Sequence, residues 1–450
     1  MRSANVQVTM LLRILLSAIL LCASLLCTSL AAQTPPTLQI PPAAQANANF
    51  SVEAATRAYL DTFADRKAKS DAYFEGGYWL VLWDFLYGAA VALMLLGTGL
   101  SARMRDFAER LSRRKAVATW LYFAQYLAIT SIIGAPLGIY EGFLREKKYD
   151  LMNQNFLEWT IDQFKSLGLG IVLGGLVVVA LFGIVRRLPR TWHIWGAMAA
   201  TAFLLMAALI FPVFIAPMFN KYTILADAHI RDPILSLARQ NGIPATKVYE
   251  VDASKQSKRA SANVSGVLGT ERITLNDNLL KRSSPEAIQA VMGHEMGHYV
   301  MNHVYKGVLI QFIVFGAFFA ILRGALTGAL KRWGGRWGLR DLGDPAVIPL
   351  VILILSALFF VGTPLLNTVT RTMEYEADIF GLSATRQPDG FAEAALMLGE
   401  YRKLEPTPVE EFIFFDHPSG RTRIFSSMRW KKENLCLFDA KPAAKLTCGH

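Results

Sequence analysis

The chain has 450 residues, 53% hydrophobic and 18% charged, with a formal net charge of +11 and a mean hydropathy of +0.32. That composition excludes both an ordinary water-soluble fold and a disordered chain, since neither accounts for so much apolar surface. The positive charge would suit nucleic acid, but it sits in short loops between apolar runs, which points to membrane topology instead.

A bilayer core takes roughly 20 apolar residues per helix. Windows at 9–31, 78–100, 117–140, 167–185, 191–217, 306–323 and 346–366 meet that length, giving seven candidate spans. The first differs from the others. Met1–Arg13 is basic, Leu11–Cys27 is apolar, and Ser29-Leu30-Ala31 supplies small residues, so 1–31 reads as a removable signal peptide, with a first membrane helix as the alternative.

The loops alternate in charge. Residues 101–116 carry Arg103, Arg105, Arg110, Arg113, Arg114 and Lys115 against Asp106 and Glu109. The loop 186–190 has Arg186, Arg187 and Arg190 and no acid, and 323–344 has Arg323, Lys331, Arg332, Arg336 and Arg340 against Asp341 and Asp344. By contrast, 33–77 and 141–166 each hold four basic and five acidic residues. A positive-inside bias places the basic loops in the cytoplasm and the segments 33–77, 141–166, 218–305 and 367–450 outside it. If the leader is removed, Cys436 and Cys448 are the remaining cysteines, and on that side of the membrane they are able to pair, two free thiols being the alternative.

After Pro217 the composition turns soluble. Helical spacing over 224–240 ends at Gly242-Ile243-Pro244, and Lys247–Val251, Ala262–Leu268 and Glu271–Leu275 read as strands, with Gly269-Thr270 as a hairpin turn. An exposed edge of such a sheet can take an extended peptide by strand addition; a purely structural hairpin is the alternative. Ser283-Ser284-Pro285-Glu286 then announces a helix, with a serine cap, a proline in the first turn and a glutamate placed for a capping box.

That helix carries His294-Glu295-Met296-Gly297-His298, an HExxH pattern. Two histidines four apart share a helix face and can ligate one Zn²⁺, while the intervening glutamate stands beside the metal as a general base. Gly297 costs the helix about 1 kcal/mol against alanine, which suggests close packing there. His303 falls on another face and reads as a structural histidine. A catalytic zinc takes three protein ligands and keeps one open position. Past the seventh window, Glu374 and Asp378 are four apart on a continuing helix, and two spans return them to the side of His298. Glu374 is the best third ligand, and Glu376 reads as a solvated carboxylate.

At this point the chain resembles the type I CAAX prenyl proteases, typified by the a-factor-converting enzyme, with HtpX-like membrane proteases as more distant relatives. The resemblance covers most of the chain after about residue 50 and rests on Ala262-Asn263, Arg272-Ile273, His294 to His298 with Asn302-His303, Arg371, Glu374-Tyr375, Ala377-Asp378, and His417-Pro418 with Arg423. It implies His294, His298 and Glu374 as the ligands of one Zn²⁺, Glu295 as base, and Asp378 as a second catalytic acid or an orienting one. It further implies that Asn263 contacts substrate backbone and that His417 and Arg423 stabilise the oxyanion, a capping turn and a surface arginine being the plain alternative. The implied fold is mainly α: a ring of about seven transmembrane helices around a water-filled chamber, with a small α+β zinc-protease lobe.

The expected organisation is a leader (1–31), an extracytoplasmic linker (32–77), N-terminal membrane helices (78–217), a soluble lobe with the HExxH helix (218–305), two membrane helices (306–366), and a third-ligand helix with the rest of the peptidase (367–450). The expected activity is that of an integral-membrane zinc metalloendopeptidase. Its substrate would be a peptide or protein, lipidated and membrane-embedded ones included, and its surroundings the lipid bilayer, with no nucleic acid. An active site outside the cytoplasm sits awkwardly with cytosolic prenylated substrates, so a quality-control protease without prenyl specificity is an equal alternative. A non-catalytic scaffold or transporter with structural zinc is the rival from another class; it would not need Glu295.

Overall fold

The computed structural model describes residues 36–266 and 271–438. The leader 1–31, the turn at Gly269-Thr270 and Cys448 lie outside them; Cys436 is disulfide-bonded. Among the described residues six helices are long and apolar enough to cross a membrane, matching the second to seventh windows.

Where the sequence suggested a linker, a short helix forms at Val52–Asp61, capped by Ser51, whose side chain accepts from the Ala54 amide. Its Ala55, Tyr59 and Leu60 pack with Phe50 and Phe63 against Ala392, Leu396, Ile424 and Met428, so this stretch belongs to the lobe. Four spans follow: α1 (Ala64–Gly97), α2 (Lys115–Lys148), α3 (Phe156–Arg187) and α4 (Trp192–Met218). Between α1 and α2, Gly99 takes a left-handed φ of 68° and turns the chain into the amphipathic helix Leu100–Leu111.

The lobe opens with β1 (Tyr222–Ile224) and α5 (Ala228–Gln240), continues through β2 (Val248–Val251) and β3 (Ala262–Ser265), and reaches β4 (Arg272–Asn276). The sheet order is β1-β2-β4-β3. Strands β2 and β4 are parallel and the outer pairs antiparallel, which leaves β3 at an edge. Three residues are too few for a periodicity signal, so β1 was not foreseen. Apolar residues of α5 (Ile230, Ile234, Ala238) and of the sheet (Val248, Ile273, Leu275) bury one another and the inner face of the next helix.

That helix is α6 (Pro285–Val300), capped by Ser284, whose hydroxyl accepts from the Ala287 amide. The capping box expected from Glu286 is not made. Glu393, far along the chain, instead accepts from the Ser284 amide at 2.9 Å and its hydroxyl at 2.7 Å, tying the helix start to the C-terminal half. Asn302, with φ 58°, breaks α6 from α7 (His303–Trp337), a span of 35 residues and so roughly 50 Å long. The chain returns through α8 (Pro345–Thr385) and finishes the lobe with α9 (Pro388–Leu398), α10 (Pro408–Phe414) and α11 (Gly420–Glu433).

Contacts at the two ends of α7 differ in kind, and those at the near end position the site. At the far end of α7 the basic loops converge: Arg105 pairs with Asp344 at 2.6 Å, Arg340 with Glu109 at 2.8 Å, and Arg186 donates to the Gly343 carbonyl at 2.9 Å. At the near end, α6 and α8 cross with their backbones touching. A Cβ added to Gly297 would sit 3.1 Å from Ala377 Cα, and one on Gly381 only 2.7 Å from the His294 amide nitrogen. Glycine at the crossing therefore lets Glu374 and Asp378 of α8 reach His294 of α6.

Candidate active site

The histidines of α6 turn their Nε2 atoms toward one point. His294 Nε2 and His298 Nε2 lie 3.2 Å apart, and Glu374 brings Oε2 to 3.2 Å from the first and Oε1 to 3.4 Å from the second. One ligand atom from each of these residues falls within 4.8 Å of the others, a spacing suited to one metal ion. Glu374 Oε2 is buried yet makes no hydrogen bond, although His294 Nε2 and His417 Nε2 both stand 3.2 Å away. A buried carboxylate oxygen without a partner is costly. A cation coordinated there removes the cost, and two imidazoles with a carboxylate are a donor set that zinc accepts. The residues fit the group.

The outer nitrogens of both histidines are held. Asp378, 1% exposed, accepts from His294 Nδ1 at 2.7 Å and is itself gripped by Arg423, whose guanidinium donates to its two oxygens at 2.5 and 3.0 Å. Both carboxylate oxygens of Asp378 are thus engaged away from the cleft, the geometry of an orienting acid. Arg423, expected at the oxyanion, spends its fork on Asp378, though its side chain also lines the cleft. His298 Nδ1 meets His303 Nδ1 at 2.9 Å, and His303 Nε2 meets Glu376 at 3.0 Å. His303 is buried, as a structural histidine would be, and Glu376 keeps its side chain 38% exposed while it contacts the ring. Their link depends on the Asn302 turn, which the sequence did not signal.

Burial would lower the basicity of the His294 imidazole, but the carboxylates of Asp378 and Glu374 beside it outweigh that and raise its pKa to about 9. The same arrangement attracts any positive charge. Burial pushes the Glu295 carboxyl above its ordinary range, while the imidazoles of His294 and His298 pull the other way.

Glu295, His294, His417 and Arg423 line a cleft of about 200 Å³ together with Ala260, Ser261 and Ala262, the approach to and start of β3. His417 faces in because Asp416 accepts from its Nδ1 at 2.7 Å; that adjacent aspartate was available in the sequence and went unread. Asn263 is exposed on the edge strand, paired in register with Thr274. Tyr401 and Arg402 border both this cleft and a second cavity of about 990 Å³, whose walls include Phe74, Tyr78 and Leu82 of α1 and Phe360 and Pro364 of α8.

Known proteins resemble this chain over most of its length. Residues 225–430 match the model of peptidase family M48, and residues 56–221 match the CAAX prenyl protease N-terminal domain, described as five membrane helices; here that stretch holds α1 to α4. The chain is 31% identical to CAAX prenyl protease 1 of Saccharomyces cerevisiae over 326 residues, covering 68% of this chain and 72% of the yeast protein. It is 28% identical over 349 residues to the uncharacterized metalloprotease YhfN of Bacillus subtilis, covering 76% and 82% of the two chains. The crystal structure of S. mikatae Ste24p superposes with a TM-score of 0.69 at 23% identity, over 81% of this chain and 88% of that one, and shares its fold. A scaffold or transporter reading is not favoured by these relatives. The chain belongs to peptidase family M48, as a multi-pass integral-membrane metalloendopeptidase related to CAAX prenyl protease 1.

Proposed function

We propose that this protein hydrolyses peptide bonds with one zinc ion held by His294, His298 and Glu374. The observation that carries the reading is the buried, unpartnered Glu374 Oε2 facing the imidazole nitrogens. When bound, zinc supplies Lewis acidity, polarising a water and the scissile carbonyl. Glu295 takes the proton of the attacking water and passes it to the leaving amine. Asp378 acts by positioning: it fixes the His294 ring with Nε2 turned inward, and Arg423 keeps it ionised and in place. His417, steadied by Asp416, is the group placed to meet the developing oxyanion. Asn263 and the β3 edge offer backbone pairing to an extended substrate.

The peptidase unit comprises 218–305 and 367–450 together with the helix Val52–Asp61 that packs on it. The basic charge of the convergent loops, read with the positive-inside bias, supports a cytoplasmic end there and an active-site lobe on the extracytoplasmic side. The substrate class we infer is a peptide carrying a lipid or other large apolar group, because an aromatic-lined cavity between α1, α8 and the lobe adjoins the cleft through Tyr401 and Arg402.

The test compares the purified full chain with Glu295→Gln for zinc content and for cleavage of an unstructured protein and a farnesylated CAAX peptide. One zinc in both, with turnover lowered about 10²–10⁴-fold in the variant, is the expected result. Cleavage of the unmodified protein alone would replace the lipidated substrate with a quality-control role. Wild type without zinc would overturn the site.

A further inference from the structure

The two histidines are held by unlike partners. His294 leans on a carboxylate, Asp378, whereas His298 leans on another histidine, His303, 5% exposed. Proton placement follows from the chain of contacts. If His298 offers Nε2 to a metal, its neutral ring must carry its hydrogen on Nδ1. That N–H points at His303 Nδ1, 2.9 Å away, which must therefore be the bare, accepting nitrogen. Two protonated nitrogens at this distance would repel. His303 then has its own hydrogen on Nε2, aimed at Glu376 Oε2 3.0 Å away, and Lys306 donates to that same oxygen at 3.0 Å. With His298 as a ligand, this assignment of hydrogens satisfies each of these contacts.

We infer that His303 is a positioning residue for the metal centre, with Glu376 setting its tautomer, so that His298 is held by a four-member relay of His298, His303, Glu376 and Lys306. The turn that builds it is specific. Asn302 adopts φ 58°, which ends α6 and brings the first residue of α7 back over the last turn of the HExxH helix. The inference rests on the reading of His298 as a ligand.

The test measures zinc dissociation constants by chelator competition on the full-length protein, alongside melting of the metal-free form, for wild type, His303→Leu and His303→Asn. Leucine keeps the volume and loses the acceptor. Asparagine is smaller but keeps an oxygen near the position of Nδ1. A positioning role predicts affinity about 10–100-fold weaker for His303→Leu, with His303→Asn within a few-fold of wild type even where its apo form melts lower. A histidine that only fills space predicts the opposite order in stability and no loss of affinity with leucine. Wild-type affinity in His303→Leu, or equal losses in both variants, would overturn the inference. Should His303→Leu fail to fold, Glu376→Ala decides: several-fold weaker zinc binding supports the relay, and unchanged binding overturns it. Absence of zinc from wild type would instead refute the metal site itself, so the two failures are distinguishable.

Discussion

The first four spans and the lobe hold together by different means. In α1 to α4 the most apolar windows are only 17, 0, 11 and 6% buried within the protein. Trp79, Ile132, Leu176 and Phe214 are all more than half exposed, turned outward where lipid covers them. The lobe buries charge instead. Asp389 accepts from Tyr59 at 2.8 Å and from Lys431 at 2.6 Å, and Lys431 also donates to the Ala44 carbonyl at 2.6 Å. A span is specified by average hydropathy spread over 20 or so residues, and tolerates exchange among apolar side chains. The lobe is specified by particular atoms.

The contrast breaks first, and most visibly, at Asp389. Lys431 is 2% exposed, so Asp389→Ala leaves an ammonium buried with one carbonyl for company and frees the Tyr59 hydroxyl as well. Removing one partner of such a pair costs about 3–5 kcal/mol. The Val52–Asp61 helix should come away from α9 and α11, so thermal unfolding and limited proteolysis before residue 64 report the change together. If Asp389→Ala melted like wild type, the lobe would owe its order to apolar packing after all.

Glycine gives a paired comparison. A Cβ on Gly381 would press on the His294 amide nitrogen at 2.7 Å and the Gly293 carbonyl carbon at 3.0 Å, both backbone atoms in a packed crossing. Gly381→Ala is expected to cost about 1–3 kcal/mol and to lower zinc occupancy by prising α8 from α6. Gly183 of α3 has nothing within 4 Å of the same added atom. There alanine removes only the conformational freedom of glycine, and Gly183→Ala should be neutral or stabilising by up to about 1 kcal/mol. Melting temperature with zinc stoichiometry separates the two; similar behaviour at both positions would erase the distinction between crossing and span.

These properties decided what the sequence disclosed. Hydropathy averages located each described span, and helical spacing of four put His294 beside His298 and Glu374 beside Asp378, because such signals are local and repetitive. Gly297 signalled the close approach of another backbone, without naming Ala377 as its neighbour. The lobe's polar contacts join residues remote in sequence, and no local pattern encodes them. Glu393 rather than Glu286 completes the cap of α6, and Tyr59, in an apparent linker, bonds to Asp389. The residues proposed to hold the metal were legible because their spacing is constrained by a helix. His303 was not, because its approach to His298 depends on a single residue at positive φ.

The smallest effect is expected where the lobe's logic stops, at the corner where the basic loops meet. Arg340 reaches Glu109 at 2.8 Å and Asp106 at 3.2 Å, but its side chain is 52% exposed and theirs 41% and 48%. Water and salt screen such pairs, and holding long side chains in one geometry offsets the gain, so each contributes about 0–1 kcal/mol. Arg340→Ala should therefore shift the melting point little, by an amount that shrinks further in high salt. Its effect on zinc occupancy should be nil, since the length of α7, roughly 50 Å, separates the corner from the site. The neighbouring Arg105 is a control within the same corner: its pair with Asp344 is 6% and 1% exposed, and Arg105→Ala leaves a buried carboxylate with backbone amides but without its ion-pair partner. A loss beyond about 2 kcal/mol from Arg340→Ala, insensitive to salt, would mean that exposed charge is organised here as rigidly as buried charge is in the lobe.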